Sequence, residues 1–143
     1  MPSVRALTRL FIVSLSTLPA FAQHASPQNT NWSAYNGGLD GDHYSRLTQI
    51  TRTNVAHLKQ AWVYDTGEPG GIQTNPLVVN GILYAYTPTQ KVIALDAATG
   101  ALKWKFDSGI NGSQPARGLS LWTDGGQTRI FAGIMNFLYC LDP

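Results

Sequence analysis

Cysteine is nearly absent. Cys140 is the only one in 143 residues, so the chain cannot close a disulfide within itself and offers no cysteine pair for a zinc site. Charge is also scarce: charged residues make up 13% of the sequence, against 43% hydrophobic. A disordered, self-repelling chain is thereby excluded, because that much apolar surface can be buried. Neither sign is in large excess. The formal net charge is +2, and without Arg5 and Arg9 at the extreme N-terminus the remaining basic and acidic residues balance. That balance argues against a partner among the nucleic acids, whose phosphates need a basic surface. His24, His43 and His57 lack metal-ligand spacing. No apolar run approaches the roughly 20 residues that span a bilayer. What the sequence does have is 14 Gly, 8 Pro, 6 Tyr and 4 Trp, the materials of turns and of aromatic packing.

The N-terminus reads as an address. Arg5 and Arg9 flank and precede the apolar run Leu10-Phe11-Ile12-Val13-Ser14-Leu15, and Ala20-Phe21-Ala22 supplies the small-x-small pattern that a signal peptidase accepts. Residues 1–22 are therefore expected to be a signal peptide cut before Gln23, with a periplasmic mature part over residues 23–143. Pro19 and the short apolar run argue against an anchor. Cys140, inside Phe137-Leu138-Tyr139-Cys140-Leu141, is expected to be a small buried hydrophobe.

Beyond the signal, short strands alternate with turns. Ala61-Trp62-Val63-Tyr64-Asp65 is expected as a strand, ended by Thr66-Gly67 and Glu68-Pro69-Gly70-Gly71. Pro76-Leu77-Val78-Val79 is another, and Asn80-Gly81 supplies the positive φ angles of a two-residue hairpin turn into Ile82-Leu83-Tyr84-Ala85-Tyr86. Lys91-Val92-Ile93-Ala94-Leu95-Asp96 follows, then a turn at Ala97-Ala98-Thr99-Gly100. Leu102-Lys103-Trp104-Lys105-Phe106 alternates apolar and basic residues as a half-buried strand does. A short helix is expected near residues 53–58, capped by Thr or Asn. Gly125-Gly126 reads as a turn.

The unit then begins again. Ile130-Phe131-Ala132-Gly133 aligns with Leu83-Tyr84-Ala85-Tyr86 at a shift of 47 residues, and Leu138-Tyr139-Cys140-Leu141-Asp142 with Val92-Ile93-Ala94-Leu95-Asp96 at a shift of 46. Repetition of about 40–50 residues with four strands per unit marks a β-propeller, whose closure takes about four to eight blades. An all-β fold is expected, with this sequence holding one blade and most of a second. It reads as a fragment of a longer ring, inactive alone, with blade faces left uncovered.

Ala94-Leu95-Asp96-Ala97-Ala98-Thr99-Gly100-Ala101-Leu102-Lys103-Trp104 has the spacing Ala-x-Asp-x3-Gly-x3-Trp. Gly100 relieves the turn, Asp96 can bond the turn's own amides, and Trp104 offers a flat indole for packing between blades. The segment resembles the tryptophan-docking motif of the pyrroloquinoline quinone (PQQ)-dependent dehydrogenases. Trp32-Ser33-Ala34-Tyr35-Asn36-Gly37-Gly38, Tyr44-Ser45-Arg46-Leu47-Thr48-Gln49-Ile50, Asn54-Val55-Ala56-His57-Leu58 and Ala61-Trp62 are similar, in order, to the opening of quinoprotein glucose and alcohol dehydrogenases. Gln73-Thr74-Asn75-Pro76-Leu77-Val78-Val79-Asn80-Gly81 and Arg117-Gly118-Leu119-Ser120-Leu121-Trp122 resemble the next two blocks.

The resemblance implies an eight-bladed propeller that holds PQQ beside a calcium ion. It implies oxidation of a sugar or alcohol hydroxyl, electrons passing to a quinone or cytochrome, and membrane association of the whole protein as one arrangement. Gln73 falls where family members place a Glu or Gln against PQQ, and Arg117 where an Arg reaches it. A fixed cation there would stabilise negative charge growing on the quinone. Many alcohol-oxidising members carry adjacent cysteines where this chain has Asn111 and Gly112, a departure that favours the glucose-type branch. The calcium ligands and catalytic base are expected beyond residue 143. An alternative is a non-enzymatic envelope propeller sharing the docking motif, against which Gln73 and Arg117 in their blocks discriminate.

Overall fold

A computed structural model describes residues 31–38, 40–112 and 115–143; the expected signal over residues 1–22 lies outside them. Two antiparallel sheets follow one another along the chain. The first is β1 (Leu77–Val79), β2 (Ile82–Tyr86), β3 (Val92–Asp96) and β4 (Leu102–Phe106), in that spatial order; the second is β5 (Ser120–Asp124), β6 (Gln127–Ile134) and β7 (Phe137–Leu141). Their inner faces meet. Leu77, Val79, Tyr84, Tyr86, Val92 and Ala94 of the first share a core with Leu119, Ile130, Ala132 and Ile134, and Trp104 and Phe106 pack against its edge. Phe106 meets Tyr139 with ring centroids 5.2 Å apart, a tilted pair of the kind aromatic quadrupoles favour.

β3 explains its own unbroken apolar sequence. Val92 and Ala94 face the shared core, whereas Ile93 and Leu95 join Ala85 in a second cluster on the sheet's other face. A strand covered on both faces needs no polar alternation. β4 has the alternation because Lys103 and Lys105 stay exposed. The pairing jumps from Ala94↔Trp104 to Leu95↔Leu102, so Lys103 is the extra residue of a bulge. Its ammonium lies 3.4 Å from Asp96.

The sequence repeat is a repeat of register. Leu83↔Leu95, Tyr84↔Ala94, Ala85↔Ile93 and Tyr86↔Val92 in the first sheet correspond to Ile130↔Leu141, Phe131↔Cys140, Ala132↔Tyr139 and Gly133↔Leu138 in the second. The change of shift from 47 to 46 is made at the hairpin tip. The β2–β3 loop, closed by Thr87 N–H donating to Lys91 O at 2.8 Å, is one residue longer than the turn between Ile134 and Phe137, which pair directly. Asn80 (φ 52°) and Gly81 (φ 77°), like Gly125 (φ 54°) and Gly126 (φ 81°), form hairpin turns with both central residues left-handed.

Three expectations are corrected. Residues 61–65 are extended but pair with no strand among the described residues. They lie across the first sheet's outer face, where Trp62 and Tyr64 cover Ala85, Ile93 and Leu95 and Val63 points to solvent. The expected helix is a single 3-10 turn, Val55–His57, with no buried residue and no side-chain cap. Three residues cannot repay helix nucleation without an apolar face to dock. Cys140 is exposed, because its partner Phe131 and it occupy the face of the second sheet turned away from the shared core.

Candidate functional site

A cleft of about 280 Å³ opens where the loop preceding β1, the β2–β3 hairpin and the segment preceding β5 converge. Gln73 lines it, exposed to solvent, together with Thr74, Pro88 and Gly112. Backbone pairing brings the third segment in. Asn75 N–H donates to Arg117 O at 2.9 Å, and Asn75 bridges Gly118 in parallel. The stretches bearing Gln73 and Arg117 are thus tied together, although they are far apart in sequence. The Arg117 side chain itself is exposed and is not among the cleft's lining residues.

Sequence reasoning missed Thr74. The residue lines the cleft, and its Oγ1 is buried with no hydrogen-bond partner. A buried hydroxyl without a partner costs roughly 1–3 kcal/mol. The Gln73 carboxamide brings both a donor and an acceptor to the cleft, with the Thr74 hydroxyl in the wall beside it, a set that suits a flat, carbonyl-bearing ligand. On this donor set the residues fit PQQ. No group of three or more His, Cys, Asp or Glu able to hold a metal ion occurs among the described residues.

Gln90, which the sequence did not single out, packs behind Gly112 of the cleft lining. It sits at the β2–β3 tip with φ 65°, nearly fully buried. Its Oε1 accepts from Met135 N at 3.1 Å, across in the second sheet. A Cβ on Gly112 would come within 2.3 Å of this carboxamide. The side chain of Gln90 therefore fills the space that a side chain at position 112 would need.

Away from the cleft, the Ala94, Asp96, Gly100 and Trp104 segment closes β3 onto β4. Asp96 Oδ1 accepts from Thr99 Oγ1 (2.9 Å), Thr99 N (3.0 Å) and Ala98 N (3.2 Å). The Thr99 bonds, with lesser help from Lys103, hold its carboxyl below the usual range. Gly100 has φ +73°, and a Cβ there would meet the Trp62 ring at 2.6 Å. Trp62 Nε1 donates to Ala97 O at 3.1 Å, so the turn is clasped by the residue that covers the second cluster. Trp104 packs against the shared core, 6.0 Å from Tyr84 between ring centroids. Asp96 is thereby engaged in a turn and Trp104 in packing between sheets.

Known proteins place this arrangement. Residues 32–143 match the family model described as PQQ, glucose/ethanol/alcohol dehydrogenase, beta-propeller domain. The dehydrogenase subunit of the quinone alcohol dehydrogenase of Gluconobacter oxydans is 43% identical over 88 residues, covering 62% of this chain and 12% of that protein. The quinoprotein glucose dehydrogenase of Escherichia coli is 40% identical over 95 residues, covering 60% of this chain and 12% of that protein. Among solved structures, the quinohemoprotein alcohol dehydrogenase of Comamonas testosteroni superposes with a TM-score of 0.70 at 30% identity, over 80% of this chain and 18% of that one. The chain thus spans about an eighth of the length of those curated relatives. With the family model matched over residues 32–143, the chain belongs to the PQQ-dependent dehydrogenase β-propeller family.

Proposed function

We propose that these residues form one side of the cofactor site in an exported dehydrogenase that oxidises the CH–OH group of a sugar, glucose or a related aldose, and passes electrons to a quinone or cytochrome. The carrying observation is the cleft that Gln73 and Thr74 line together, beside the backbone-tied Arg117 segment. PQQ, when bound, supplies the two-electron redox chemistry. The chain's own residues orient it: the Gln73 amide can both donate and accept at a carbonyl edge, and Arg117, on the segment tied to Asn75, adds a permanent cation. Calcium belongs to the same reading, with ligands contributed from outside this sequence. Signal-directed export to the periplasm, and membrane association of the whole protein, complete it.

The sugar reading is supported by Gln73 and by the packing at Gly112, where Gln90 occupies the side-chain space. An alcohol substrate is the second reading, favoured by the 43% identity to an alcohol dehydrogenase subunit. Reconstitution of the whole protein with PQQ and Ca²⁺, followed by dye reduction with glucose and then ethanol, tests both. Reduction by glucose is expected. Reduction by ethanol alone would move the assignment to alcohols, and no reduction by any sugar or alcohol would remove the enzymatic reading in favour of a binding propeller.

A further inference from the structure

We propose that Glu68 is a positioning residue for the cofactor: it ties together the two walls of the cleft that Gln73 lines and so sets the width open to a flat ring. The inference rests on the PQQ reading above. One wall is the turn Pro69-Gly70-Gly71, immediately after Glu68; the other is Thr87-Pro88-Thr89 of the β2–β3 hairpin. The carboxylate spans them. Glu68 Oε2 accepts from Thr89 Oγ1 at 2.7 Å and from Thr89 N at 3.1 Å, while Oε1 lies 3.4 Å from Lys105 Nζ and 3.7 Å from Lys91 Nζ.

The glycine wall borders open space on its Cβ side. A Cβ on Gly71 would meet no atom within 4 Å, and one on Gly70 would touch only Pro88, at 3.5 Å. Side-chain packing at these two glycines is thus slight, and the charge-assisted bonds of Glu68, whose side chain is only 9% exposed, tie the wall to the hairpin. The clamp is also close to neutral. Lys91 pairs with Asp107 at 2.9 Å as well as facing Glu68, so two ammonium groups balance two carboxylates, and an anionic ligand entering beside them meets no net repulsion.

Titration of the cofactor-stripped whole protein with PQQ, read by tryptophan fluorescence, tests the proposal. Glu68→Ala is expected to weaken Kd about tenfold, the size expected for a lost charge-assisted bond network, whereas Glu68→Gln, which keeps an oxygen for Thr89, loses no more than about threefold. Lys103→Met removes an ion pair of β4 that lies away from the cleft, the one with Asp96, and gauges structural loss alone; its Kd is expected to stay within about twofold. If Glu68→Ala does not fold, Thr89→Val takes its place, with an expected loss of about threefold. Wild-type affinity in the variant that folds, or an equal loss in Lys103→Met, overturns the proposal and leaves the PQQ reading standing. Failure of the unsubstituted protein to bind PQQ removes both.

Discussion

Glu68 shows how much of a site can rest on one side chain that no motif marks. Burial by itself would raise its carboxyl, but hydrogen bonds from the Thr87 and Thr89 hydroxyls, the Thr89 amide and Lys105 bring it from 4.5 down to about 2. A carboxyl lowered on folding contributes stability that is complete above its unfolded value and is lost as pH falls toward the folded one. The stability gap between the unsubstituted protein and Glu68→Gln is thus expected to be full at pH 7 and to close between pH 4.5 and about 2; urea midpoints at pH 7 and pH 3 check this. Legibility varied sharply at this scale. Asp96 and Gly100 announce a turn by type and spacing, and the turn is there. Glu68, inside Thr66-Gly67-Glu68-Pro69-Gly70, reads as another loop carboxylate, because its partners Thr89, Lys91 and Lys105 lie more than 20 residues on and are assembled only by the fold.

At the scale of elements, sequence pattern was most informative where a strand has a hydrogen-bonded neighbour close in sequence. β2 and β4 occupy the expected residues, and the Asn80-Gly81 turn has the expected backbone. Residues 61–65 have the right side chains for a strand and the right alternation of burial, Trp62 and Tyr64 inward and Val63 outward. Pairing was what pattern could not supply, since periodicity reports which face is covered and not whether a ladder partner exists. The β6–β7 turn is a different case. Met135 holds φ 51° there, a left-handed backbone that costs a side-chain-bearing residue roughly 1–2 kcal/mol. Its side chain is 44% exposed, so little packing is lost on removing it. Met135→Gly is expected to stabilise the protein by about 0.5 kcal/mol, after the added freedom of glycine in the unfolded chain is set against the relieved strain. A raised thermal midpoint would show it.

For the molecule as a whole, the two sheets are joined by more than apolar contact. Tyr86 OH donates to Gly133 O at 3.1 Å, a bond between equivalent positions of the two repeats. Burial pushes the phenol up to about 12, so the bond keeps its donor throughout the physiological range. Tyr86→Phe is expected to cost about 1 kcal/mol, the net worth of one such bond with its carbonyl left behind; denaturant unfolding at pH 7 measures it. The repeat period and the docking motif made the family legible, because both are local in sequence. The cleft was legible only in part: Gln73 lines it, whereas Arg117 is delivered to its neighbourhood by main-chain pairing with its own side chain outside.

The one extra residue in the β2–β3 loop has a further consequence for anyone wishing to regularise or splice these repeats. With it, the hairpin tip is long enough for Gln90 to leave its own sheet and take the Met135 amide of the next. The tighter tip of the second repeat has no residue corresponding to Gln90. The strut therefore runs one way, from the first unit to the second. Trimming the loop to make the two periods equal would improve the symmetry of the sequence and unfasten the joint, and a shuffled order of units would put the strut where nothing is built to receive it.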